Sequence, residues 1–134
     1  MSCWRKCNAQ IKNADLSILK EAAKKVGLTV NENVKKVGTS YGYSERNNAF
    51  VDGAFVHEGR QVQIGYRLKG DNDCLEIVGD FWNTPWDSEA FVGTLGQVYR
   101  EIQIQQQAEL MGYTVEEVTT NTEGDTVITC YAWA

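Results

Sequence analysis

The apolar positions of this chain change period several times, and those changes mark out its elements. Leu16, Leu19, Ala23 and Val26 recur at helical spacing, which puts one oily stripe on a short helix. Asn13 or Asp15 offers a side-chain oxygen to the free amides at its start, and Gly27 stops it. Before it, Trp4 to Ile11 reads as a strand with imperfect alternation. After it, Leu28, Val30 and Val34 to Val37 predict a strand with a bulge. Gly38 to Asn48 is rich in Gly, Ser, Tyr and Asn and reads as a loop.

Three strands follow, Ala49 to Val56, Val62 to Leu68 and Cys74 to Trp82. Their connectors, His57-Glu58-Gly59-Arg60 and Lys69-Gly70-Asp71-Asn72-Asp73, contain the Gly and Asn that tolerate hairpin geometry. Thr84-Pro85-Trp86-Asp87 is a helix start, with Thr84 as cap and Pro85 in the first turn. Phe91, Leu95, Val98 and Ile102 carry the buried face of a helix predicted from Pro85 to Met111 and closed by Gly112. Tyr113 to Thr120 and Thr126 to Trp133 finish the chain as a strand pair. Gly27-Leu28-Thr29-Val30 is echoed by Gly112-Tyr113-Thr114-Val115, the ordinary grammar of a glycine cap entering a strand. The order β-α-β-β-β-β-α-β-β, with short connectors, predicts an α+β fold. In it a mostly antiparallel sheet carries two amphipathic helices on one face, as a single domain over residues 1–134.

Composition fits that picture. The 134 residues are 43% hydrophobic and 23% charged, values of a chain that buries a core. No apolar run reaches the length of a membrane span, and Met1 to Lys6 is basic without an apolar stretch behind it. Neither a membrane nor an export signal is expected, and the expected compartment is cytoplasmic. Cys3, Cys7, Cys74 and Cys130 then read as free thiols.

The net charge of −5 conceals a division. Met1 to Arg46 holds nine basic and four acidic residues, and the remainder holds four basic and fourteen acidic ones. Such asymmetry favours an oriented encounter with a charged partner or with another copy, and the competing reading is that both sets are solvated faces of one compact domain. The basic first third is the one argument for nucleic-acid binding, but a net negative charge and the lack of a recognition motif stand against it, and none is expected.

Candidate chemistry is sparse. Cys3 and Cys7 lie on one strand face but about 13 Å apart, too far to share a zinc ion. His57 is the sole imidazole, so a thiol nucleophile has one possible base. Asp71-Asn72-Asp73 lacks the distal glutamate of a calcium loop, and Gly93-Thr94-Leu95-Gly96 lacks the lysine of a phosphate loop. No cofactor, metal or catalytic set is predicted.

One segment stands apart, Glu76 to Trp86. Asp80, Trp82, Trp86 and Tyr99 form a candidate ligand- or partner-binding cluster, with aromatic plates beside a carboxylate at a capped helix entrance. The competing reading is that the tryptophans wedge the long helix onto the sheet.

Several of these residues also carry a family likeness. They are Met1-Ser2-Cys3-Trp4 with Ile11-Lys12, Ile64-Gly65-Tyr66-Arg67, Val78-Gly79-Asp80-Phe81-Trp82, and the helix from Gln97 to Gly112 leading into Val115-Glu116-Glu117. In that order the chain resembles the hypothetical chloroplast reading frame thirty-five family, a domain of unknown function in cyanobacteria, algal plastids and some phages. It departs where the family shows Ser-His-Phe and this chain has Ser2-Cys3-Trp4. The resemblance implies a cyanobacterial, plastid-stroma or infected-host setting and no mechanism. The expected function is a non-catalytic accessory or interaction protein that binds a protein partner or forms a homo-oligomer. The alternative is a small-ligand binder or cryptic enzyme with a pocket near Asp80, Trp82 and Trp86.

Overall fold

A computed structural model of the chain describes residues 4–38, 49–81, 84–120, 122–123 and 125–132. Its strands are β1 (Trp4–Lys12), β2 (Leu28–Asn31), β3 (Lys36–Val37), β4 (Ala49–Phe50), β5 (Gly53–His57), β6 (Arg60–Arg67), β7 (Cys74–Asp80), β8 (Tyr113–Thr120) and β9 (Thr126–Ala132). The helices are α1 (Leu16–Lys25) and α2 (Ser88–Leu110). Five strands form one antiparallel sheet in the order β1-β7-β6-β5-β2, while β3-β4 and β8-β9 are separate two-stranded ribbons. The α+β class and the antiparallel sheet with two helices are as the sequence predicts.

The sheet is covered on both faces. Leu75 and Ile77 of β7, Ile64 and Tyr66 of β6 and Phe55 of β5 meet Leu19 and Ala23 of α1 and Phe91, Leu95 and Tyr99 of α2 in the main core. The opposite face holds a smaller cluster, in which Val37, Ala49 and Val51 close over Ala54 and Val78. The β3-β4 ribbon therefore forms a third layer, held by Arg67 Nε donating to the Phe50 carbonyl at 2.8 Å and by the Gly38 amide donating to Gln63 Oε1 at 3.0 Å.

Element ends follow local chemistry. The Asp15 carboxylate caps α1 by accepting the Ser17 amide at 2.7 Å, and Gly27 adopts φ +84° just beyond its end. α2 starts later than predicted. Thr84 does not cap it, because its hydroxyl donates to the Phe81 carbonyl at 2.7 Å, and Asp87 accepts the Ala90 amide instead. Two predicted strands are each split. Leu28 to Val37 breaks into β2 and β3 where the Asn31 side chain accepts the Asn33 amide at 3.0 Å. Ala49 to Val56 breaks at Asp52, whose amide and carboxylate are committed to Tyr66 and Leu68. The predicted loop from Gly38 to Asn48 lies, beyond Gly38, outside the described residues.

Candidate functional site

Two members of the predicted cluster, Asp80 and Tyr99, lie on opposite sides of the sheet. Trp86 stands at the mouth of a cavity of about 310 Å3, walled by Val26, Pro85, Phe91 and Thr94. Tyr99 is fully buried in the main core, and its hydroxyl accepts the Asp15 amide at 2.7 Å, so it serves the start of α1. Asp80 is 2% exposed at the end of β7. By strand alternation it shares the Glu76 and Val78 side of the sheet, opposite the core that receives Tyr99. Trp82 lies outside the described residues.

Trp86 is the outer member of an aromatic train. Its ring meets His57 edge-on at 4.9 Å and Phe91 at 5.1 Å, and Phe91 contacts Phe55 and Phe81 at 5.7 Å each. These spacings suit edge-to-face aromatic attraction, so the indole joins the core rather than standing free of it. The cavity sits at the lower limit of small-molecule sites, roughly 300–1,000 Å3. Its one carboxylate, Asp87, is engaged as the α2 cap.

A second group was not visible as a site in the sequence. Glu76 is 1% exposed in the middle of β7 and holds an ionic knot. Its carboxylate accepts Arg67 at 3.2 Å and the Asp71 amide at 3.1 Å, with the Lys6 ammonium 3.7 Å away. Lys6 in turn binds Asp71 at 2.7 Å, which raises the lysine and holds the aspartate below its ordinary range. Both cations reach solvent and the knot is locally neutral, so it ties β1, β6 and β7 together and leaves no unmatched charge for catalysis. An acidic residue inside the apolar run Cys74-Leu75-Glu76-Ile77-Val78 was the one available signal.

Among the described residues Cys7 and Cys74 are in no disulfide. The Cys7 thiol is pushed up chiefly by burial, with the Glu89 charge adding to the effect, so it stays protonated. Cys74 is buried and free. Among the described residues, no three His, Cys, Asp or Glu side chains gather closely enough to hold a metal ion. No helix among the described residues is long and apolar enough to cross a membrane.

A third feature is an exposed arm. The last buried side chain of α2 is Ile102, and the helix runs two further turns before the β8-β9 ribbon. Among the described residues six large hydrophobic side chains are exposed, and five belong to this arm: Ile104, Leu110, Met111, Tyr113 and Val127. Leu110 and Met111 are 87% and 71% exposed.

Neither a curated protein nor a solved structure matches the chain. A family model does match, over residues 22–129, which run from the last turn of α1 through β2 to β8, with all of α2, into the first half of β9. The chain belongs to the family described as Protein of unknown function (DUF1257).

Proposed function

We propose that the protein is a non-catalytic interaction protein that binds a protein partner or self-associates through the arm formed by the end of α2 and the β8-β9 ribbon. The carrying observation is the gathering of exposed apolar side chains there, at Leu110, Met111 and Tyr113. Scattered apolar residues on a surface need no explanation, but a group at one end of the molecule marks a contact surface. The charge division supports an oriented approach, since every charged residue after Arg100 is acidic. The family likeness supports a cyanobacterial, plastid or phage-infected setting.

The test is solution mass together with capture of partners on immobilised protein, at low and at molar salt. Leu110→Glu with Met111→Glu is expected to abolish whichever association is found and to leave the circular dichroism spectrum unchanged. A protein that remains monomeric and retains nothing even at low salt would sink the reading.

A second reading is favoured by the cavity at Trp86, whose walls suit a small flat ligand. Native mass spectrometry of freshly purified protein tests it. A retained small molecule that is lost in Ala90→Trp, which fills the cavity, would establish this reading.

A further inference from the structure

The open edges of the strands differ in how they are guarded. In the five-stranded sheet, β1 is broken by a bulge between Asn8 and Lys12, with Gln10 at φ +57°, and carries Arg5, Lys6 and Lys12. The other edge, β2, is four residues long. Bulges, charges and shortness are the usual devices that stop a sheet edge from recruiting another chain. β8 has two of them: Glu116 and Glu117 sit side by side, and the register slips between Val115 and Glu117. β9 has neither. Its seven residues, Thr126-Val127-Ile128-Thr129-Cys130-Tyr131-Ala132, include no charge, no proline and no glycine, and its pairing with β8 is regular from Glu117 to Thr120. Among the described residues, β9 is bonded to β8 alone, which leaves its second edge open.

We infer that β9 is a homodimerisation edge: two copies pair their β9 strands antiparallel about a two-fold axis and make one four-stranded sheet from two ribbons. This rests on the interaction reading above and names its partner. The ribbon leans on α2, and two added strands give it the wider ladder that a two-stranded hairpin lacks. Charge selects the occupant. The arm carries Glu109, Glu116, Glu117, Glu123 and Asp125 and no basic residue, so a basic foreign strand would be drawn to β8. A neutral strand identical to β9 meets no charge on β9, and the two acidic β8 strands then lie outermost, about 14 Å apart at ordinary strand spacing. A two-fold pairing uses the same edge twice and closes, so it yields dimers rather than fibres.

The experiment is light scattering of the full chain at rising concentration, in low and in molar salt. The expected mass is twice the 15.0 kDa of one chain. It should persist or strengthen in salt, because screening relieves repulsion between the acidic arms. Val127→Lys with Thr129→Lys, at exposed positions and with Thr129 opposite Glu117 of β8, should weaken the dimer at least tenfold by setting like charges across the two β9 strands and leave the monomer's circular dichroism intact. Independently of any variant, amide hydrogen exchange on the unaltered protein should slow in β9 as concentration rises. A dimer that survives the double substitution, or a dimer in which β9 exchange is unaffected, overturns the β9 edge and leaves self-association standing. A dimer that salt dissolves points to the opposed charges instead, and a monomer at all concentrations overturns the inference. Interaction through a captured partner is then judged by the low-salt capture above. Mass that grows without limit contradicts two-fold closure.

Discussion

The Tyr99 hydroxyl accepts the backbone amide of Asp15 at 2.7 Å, joining positions 84 residues apart. Tyr99 lies in the middle of α2, and Asp15 is the residue at which α1 begins. One phenol thus fixes where the first helix starts relative to the second. Tyr99→Phe keeps the ring and removes the acceptor, so it should cost about 1 kcal/mol in urea unfolding. An unchanged midpoint would mean that water replaces the hydroxyl.

The Glu76 knot should be less forgiving. Glu76→Ala leaves the Asp71 amide and the Arg67 guanidinium without their acceptor, at a cost of about 2 to 3 kcal/mol because both cations reach water. Gly70→Ala tests the same place by crowding. Its new methyl would lie inside contact distance of the Glu76 carboxyl carbon, with an expected cost of about 1 to 3 kcal/mol. Thermal unfolding of both variants decides. If Gly70→Ala proves neutral, Glu76 is not held as tightly as its neighbours imply.

Acid should weaken the fold partly through the α1 cap. Ser17 hydrogen bonds hold the Asp15 carboxyl below its ordinary value. A group depressed in the folded state contributes stability above its unfolded pKa, about 3.9, and loses that contribution as pH falls through the lower folded value. Asn is an equally good cap but does not titrate. Asp15→Asn should therefore match the parent near neutrality and show a shallower loss below about pH 4 in acid titrations of stability. Asp71, held low by the Lys6 hydrogen bond, retains its own share of that acid loss in both proteins.

Cys7 should react slowly with iodoacetamide at neutral pH, since its thiol is raised above its ordinary value by burial and by Glu89. Peptide mass mapping follows the site. Glu89→Gln should speed alkylation of Cys7 at a fixed pH, and equal rates in the two proteins would remove Glu89 from the explanation.

Local signals in the sequence were enough to place the helices. The Asp15 cap, Gly27 and Gly112 each act within a few residues, and both glycines take positive φ as their positions require. The α2 start was misplaced because Thr84 and Asp87 are both capping residues, and only the fold shows Thr84 already turned to Phe81. The split at Asp52 depends on Leu68, sixteen residues away, and no periodicity carries that. The separation of Asp80 from Tyr99 was hidden for a related reason. Alternation put Asp80 on the side of β7 away from Phe81, but which side met the helices was undetermined, so Tyr99 could not be placed. The Lys6–Glu76 ion pair joins strands far apart in sequence and left only an oddly placed acid as its trace.

The pairing of β1 with β7 also bears on how the chain is made. β1 is translated first, but its ladder partner begins at Cys74, about 62 residues later, a wait of roughly 3 to 12 seconds at common synthesis rates. Through that interval an unpaired strand hangs from the ribosome, and Arg5, Lys6 and Lys12 are the groups that keep it dissolved. The basic residues of β1 thus protect the nascent polypeptide before they serve the finished sheet.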